Sequence, residues 1–225
     1  MSPPFEVYGA AHLTVLLLTV VTAAALVHRA RKAPHGVTLQ NRILAVFLLT
    51  LYPTQLIITA RMGWLNPDNA LPCHLCDVAA ICGAGALWFR NQRLAELLWF
   101  WGLAGTLNGL ITPALAENFP SPRFLFFFAL HSGVVIAAVY VVAGLKLRPL
   151  PGAVWRAFGW AQLYLIMAGI VNWAIGSNYG FLREKPPQAS LLDALGPWPW
   201  YIIALEGIAL LLFWILYLPF RRAAR

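Results

Sequence analysis

A chain of 225 residues that is 60% hydrophobic and only 11% charged does not clothe a water-soluble domain, for soluble domains carry roughly 25% charged residues. Lipid wetting most of the surface accounts for the missing charge, and the length fits one transmembrane domain over residues 1–225 with no soluble domain beside it. The net charge of +8 does not point to nucleic acid, because the basic residues fall in short segments between apolar runs, as membrane proteins place them.

The first residues, Met1 to Tyr8, hold Glu6 and no Lys or Arg, so they are expected to be retained and not cleaved as a signal peptide, which needs a basic start. A span takes roughly 20 mostly apolar residues. The sequence predicts an all-α polytopic bundle of seven, at about 8–28, 41–60, 72–90, 94–114, 124–145, 155–176 and 198–220. Arg29-Ala30-Arg31-Lys32 closes the first, and the turn residues Asn66-Pro67-Asp68-Asn69 precede the third. Phe119-Pro120-Ser121-Pro122 breaks the chain before the fifth, and Pro149 and Pro151 come before the sixth. The segment Ser177 to Gly196, with Gly, Pro and mixed charge, is the longest loop.

Seven spans put alternate loops on opposite sides. One side then holds twelve basic residues (Arg29, Arg31, Lys32, Arg42, Arg90, Arg93, Lys146, Arg148, Arg156, Arg221, Arg222, Arg225) and the other four (Arg61, Arg123, Arg183, Lys185). The positive-inside rule makes the richer side cytoplasmic, with the N-terminus outside and the C-terminus in the cytoplasm. Trp64, Trp198 and Trp200 stand near the predicted outer ends, where interfacial aromatics collect. Gly102, Gly105 and Gly109 let the fourth helix pack closely on a neighbour.

Polar groups inside apolar spans are costly, so each is a functional candidate. They are His12, Gln55, His74, Asp77, Asn108, Thr112, His131, Gln162, Asn172 and Glu206, with Cys73 and Cys76 beside them. All but Gln162, which is placed nearer the cytoplasm, fall in the outer half, and a shared depth suggests one cavity opening outward. The alternative, polar groups that only bond helix to helix, is the commoner role for a single Asn or Gln. A buried carboxylate such as Asp77 or Glu206 demands a partner or a proton.

The densest cluster is Leu71-Pro72-Cys73-His74-Leu75-Cys76-Asp77. On a helix Cys73 and Asp77 are i and i+4, and His74 and Asp77 i and i+3, so their side chains meet. A carboxylate orients an imidazole, and an imidazole near a thiol yields the nucleophilic thiolate. His131 lies roughly 12 Å below the outer surface if its helix starts near Arg123, at about 1.5 Å per residue, and faces the cluster across the bundle. Four chemistries fit: a Cys/His nucleophile acting on acyl lipids, thiol redox at Cys73-x-x-Cys76, a metal or haem site, or a receptor or transporter without covalent chemistry. The first two leave open which of Cys73 and Cys76 is reactive; depth favours Cys76 slightly. No disulfide is expected between them. Without His-x-x-x-His or His-Glu-x-x-His there is no zinc hydrolase motif of the ceramidase type, and no metal or other cofactor is expected. Lys32, Lys146 and Lys185 all lie in loops, which excludes a retinal Schiff base.

The Leu71 to Asp77 string resembles the signature of bacterial YwaF-like integral membrane proteins. So do Asn108-Gly109-Leu110-Ile111-Thr112-Pro113 and Phe119-Pro120-Ser121-Pro122-Arg123-Phe124 with His131, and the likeness runs from about Tyr8 to Tyr217. That family is similar to eukaryotic transmembrane protein 164, an acyltransferase that remodels ether phospholipids through a cysteine acyl-enzyme. It is more distantly similar to the androgen-induced-gene hydrolases, which pair a threonine with a histidine. The resemblance implies a multi-pass protein of the bacterial inner membrane, with membrane lipids as acyl donor or acceptor. The acyltransferase's Pro-Cys-His falls on Pro72-Cys73-His74 and its downstream catalytic histidine on His131.

The expectation is therefore a lipid acyltransferase or acyl-ester hydrolase with Cys73 as nucleophile and His131 as general base. Asp77 or Glu206 orients a histidine, Asn108 donates to the oxyanion, and His74 and Cys76 line the cavity. The alternative is a membrane protein that binds or transports a small molecule or lipid without turnover.

Overall fold

Helix boundaries follow the breaks in the sequence closely. Ser121 caps one helix, its hydroxyl accepting the Arg123 amide at 3.2 Å, with Pro122 as first helical residue. The Asn91 side chain caps another by accepting the Arg93 and Leu94 amides at 2.9 and 3.0 Å. Gly176, at φ +71°, closes a third in the left-handed conformation. The computed structural model describes residues 3–187 and 191–224. The expected Met1 start, the Gln188 to Ser190 part of the long loop and Arg225 of the basic set lie outside the described residues.

Among those residues the chain forms seven helices: α1 (Ala10–Lys32), α2 (Val37–Arg61), α3 (Leu75–Phe89), α4 (Gln92–Ile111), α5 (Pro122–Gly144), α6 (Ala153–Ile175) and α7 (Trp200–Tyr217). Helices α4 and α5 each contain a five-residue π segment, Gly102–Thr106 and Tyr140–Gly144. Six helices are long and apolar enough to cross a membrane, and α3 is not. The protein is a multi-pass membrane protein.

The expected third span, 72–90, is the one the structure shortens. Pro72 disfavours helix at the residue before it, and the Asp77 carboxylate reaches back to accept the His74 amide at 3.2 Å, so that helix begins only at Leu75. Its 15 residues rise about 22 Å, against a hydrocarbon core of about 30 Å. Irregular backbone at that depth is tolerated where protein covers it, and α3 is covered: it packs on α2, α4 and α5, with Ala79, Ala80, Cys82, Gly83, Ala84, Ala86 and Leu87 all buried. Within the spanning windows of α4 and α5, 56% and 61% of residues are buried, against 17% in α1, α2, α6 and α7. The bundle thus has an inner trio, α3 to α5, with the other four helices around it.

The three glycines of α4 make the close contacts their size permits. A β-carbon on Gly102 would touch Val134 and Ala138 of α5 at 3.3 Å, one on Gly105 would meet Leu75 of α3 at 2.9 Å, and one on Gly109 would meet the His131 ring at 2.9 Å. Where α4 enters, Glu96 is 2% exposed and takes Arg156 of α6 in a two-pronged pair at 2.8 and 3.0 Å.

Candidate functional site

The segment before α3 is a turn pinned from several elements. Tyr52 of α2 donates its hydroxyl to the Ala70 carbonyl at 2.7 Å, and Tyr164 of α6 donates to the Cys73 carbonyl at 3.1 Å. The Tyr179 hydroxyl, from the loop after α6, accepts the Leu71 amide at 2.8 Å and donates to the Pro67 carbonyl at 2.7 Å. Burial pushes the Tyr179 phenol up from its ordinary value, so it stays protonated and can make both bonds. The Asn178 amide donates to Asp68 at 2.6 Å. The His74 Nε2 lies 2.9 Å from the Asp68 carbonyl, and its ring meets the edge of Tyr179 at 4.9 Å. These tyrosines escape a sequence reading that counts tyrosine as apolar.

Cys73 precedes the helix and His74 is its N-cap. Cys73 thus stands outside the helix, and within the cap the Asp77 carboxylate accepts the backbone amide of His74. Cys73, Cys76 and Cys82 are free thiols.

His131 stands on α5 facing α4. Its Nδ1 is 2.7 Å from the Phe127 carbonyl, and its ring stacks on Phe127 with centroids 3.9 Å apart. A carbonyl can only accept, so Nδ1 carries the proton and Nε2 is left with its lone pair. That Nε2 lies against Gly109. One turn away on α4, Gly105 receives Leu75, the first residue of α3. Residues 105 and 109 are about 6 Å apart along the axis, so one glycine face of α4 brings the start of α3 beside His131. Among the described residues, no hydrogen bond joins the Cys73 thiol to His131.

The other candidates divide. Asn108 is exposed, and one amide N–H donates to the Ala104 carbonyl at 2.6 Å, leaving the second N–H. Glu206 of α7 accepts the Gln162 amide of α6. Gln162, expected nearer the cytoplasm and apart from the other polar groups, is thus at the level of Glu206. His12 is fully buried with both nitrogens used: Nδ1 accepts the Tyr8 amide at 3.0 Å and Nε2 donates to the Leu110 carbonyl at 2.9 Å. It staples α1 to the end of α4. A groove of about 390 Å³ beside the end of α6 is lined by Gly169, Asn172, Trp173, Gly176, Leu182 and Arg183, and none of the candidate catalytic residues borders it. Among the described residues, no three His, Cys, Asp or Glu side chains are grouped to hold a metal ion.

A family profile described as the TMEM164 family matches residues 7–217. No curated protein and no solved structure matches the chain.

Proposed function

The chain belongs to the TMEM164 family, and on that premise we propose that it is a lipid acyltransferase or acyl-ester hydrolase of the bacterial cell membrane. Cys73 is the nucleophile and His131 the general base. The observation that carries this reading is the Phe127 carbonyl on His131 Nδ1, which leaves Nε2 unprotonated at the α4 surface next to the start of α3. The likeness to eukaryotic transmembrane protein 164, with its cysteine acyl-enzyme, supports the same pair. His131 Nε2 takes the thiol proton and the sulfur attacks the ester carbonyl. The ester C–O bond breaks, and the proton passes to the departing alkoxide, releasing a lysolipid and leaving a thioester on Cys73. A hydroxyl acceptor or water then attacks the thioester with His131 again as base; the C–S bond breaks, the new ester or free acid leaves, and the proton passes from His131 to the Cys73 sulfur. The second Asn108 N–H donates to the tetrahedral oxyanion.

Incubation with a phospholipid carrying a labelled acyl chain tests this. Label attaches to Cys73, and Cys73→Ala and His131→Ala each remove nearly all of it while both variants keep their melting temperature, because paired catalytic groups act as one unit. Loss in Cys76→Ala but not in Cys73→Ala moves the nucleophile to Cys76. Saturable lipid binding without label in the parent protein favours the second reading, binding or transport without turnover, which the groove beside α6 supports.

The orientation is also proposed from the twelve-to-four basic bias. With α3 counted as a crossing, a reporter fused after Arg225 is active only in the cytoplasm and a tag before Met1 is reachable from outside. A tag before Met1 that is shielded in intact cells would show that α3 does not cross.

A further inference from the structure

Arg123, Phe127 and His131 stand at i, i+4 and i+8 on α5, and so share one face of the helix. Phe127 stacks on His131. At the N-terminal end of this face the Arg123 guanidinium lies over the Trp64 ring, 4.1 Å from its centroid. Its Nη1 donates to Glu117 Oε1 at 3.0 Å. The other Glu117 oxygen accepts the Ser121 hydroxyl at 2.5 Å, so the carboxylate is itself held. A guanidinium has five N–H donors in a rigid plane, and these contacts engage one. The side chain is 47% exposed. Arg123 is thus pre-oriented by an aromatic face and a carboxylate, with donors to spare. Eight residues separate it from His131, a rise of about 12 Å.

We propose that Arg123, Glu117 and Trp64 form a headgroup site that holds the phosphodiester of a glycerophospholipid lying along α5. The acyl ester of that lipid reaches His131; this last point rests on the acyl-transfer reading, whereas phosphate binding does not. A glycerol backbone puts only a few bonds between phosphate and acyl ester. With a hydrogen bond of about 3 Å at the phosphate and the Cys73 sulfur between the ester carbonyl and His131, such a lipid spans the rise from Arg123 to His131. The guanidinium edge meets two phosphate oxygens at once, the strongest geometry available to it. Glu117 cancels the arginine's charge, so the site does not require a net anion and accepts a zwitterionic headgroup, with the carboxylate beside the ammonium. A neutral glyceride offers nothing to the fork.

The test uses lipids that cannot be cleaved, so that it stands apart from any chemistry at Cys73. The parent protein in detergent is offered diether phosphatidylethanolamine and a diether glycerol with the same chains but no phosphate, and retention is read by native mass spectrometry. The phospholipid is retained at least tenfold better. Arg123→Gln removes that preference and Arg123→Lys restores part of it. Glu117→Gln shifts preference at least fivefold toward diether phosphatidylglycerol, because the arginine charge is then uncompensated. A phosphate preference that survives Arg123→Gln overturns the proposal. So does a Glu117→Gln variant whose melting temperature falls while its headgroup preference is unchanged, since the cluster is then a structural clip. Equal thermal stabilisation of the parent by inorganic phosphate alone makes it a free-anion site and overturns the lipid assignment. Phosphate discrimination on the diether lipids with no acyl label on any cysteine supports this site and sinks the acyl-transfer reading.

Discussion

Arg156→Ala lowers stability by about 3–5 kcal/mol, while Arg93→Ala costs under about 1 kcal/mol, although both arginines contact the same carboxylate. Glu96 is 2% exposed, and Arg156 meets both of its oxygens at 2.8 and 3.0 Å. Arg156 also donates to the Pro151 carbonyl at 2.8 Å, tying α4, α6 and the preceding loop together. Its removal leaves a buried carboxylate with the Leu150 amide at 3.1 Å and a single contact at 3.3 Å to the largely exposed Arg93. The desolvation penalty of a carboxylate that has lost its two-pronged partner then dominates. Arg93 is 58% exposed and touches Glu96 by a single contact at 3.3 Å; water screens that pair and replaces it when lost. Thermal or denaturant unfolding in a fixed detergent reads the order directly. Equal losses in the two variants would mean that Glu96 is wetter than its burial indicates, and the buried-pair argument would fail.

Glu96 also shows what the sequence conceals. It lies two residues into the expected fourth span and looks like the polar edge of that helix. Its partner Arg156 is 60 positions away, and no local pattern joins them. The apolar runs were legible because lipid imposes a length and a composition on any helix it touches. Helix α3 obeys that rule poorly because α2, α4 and α5 cover most of it: its Ala and Gly positions are chosen for close packing, and Asp77 fixes its start through a cap. In the site, the Asp77 carboxylate holds the His74 backbone amide, a cap that the i and i+3 spacing of the two residues does not spell out. The glycine spacing at 102, 105 and 109 does foretell close approach, but not that two different helices, α5 and α3, use it. In the predicted spans Gln162 and Glu206 differ in depth by about 9 Å, yet their side chains are bonded.

Gly109→Ala disables the proposed catalytic pair without replacing either member of it. A β-carbon at Gly109 would lie 2.9 Å from His131 Cδ2 and 3.0 Å from Nε2, closer than packed atoms approach. The imidazole has little freedom to retreat: Phe127 lies against its face at a centroid separation of 3.9 Å, and the Phe127 carbonyl holds Nδ1 at 2.7 Å. Either the ring gives up that bond, and with it the tautomer that bares Nε2, or α4 and α5 separate. Overpacking of this kind costs about 1–3 kcal/mol, offset in part by the gain of up to about 1 kcal/mol from alanine over glycine in a helix. The functional loss is larger, because a displacement of about 1 Å in a catalytic group lowers rate by about a hundredfold. Acyl labelling of Cys73 in Gly109→Ala therefore falls by about two orders of magnitude while the protein remains folded. Gly159→Ala is the control: no atom outside its own helix backbone lies within 4 Å of the added carbon, so that variant keeps full labelling and is slightly more stable. Parent-level labelling in Gly109→Ala would show that the face of His131 against Gly109 is not the one that meets substrate, and His131 would lose its place as the base.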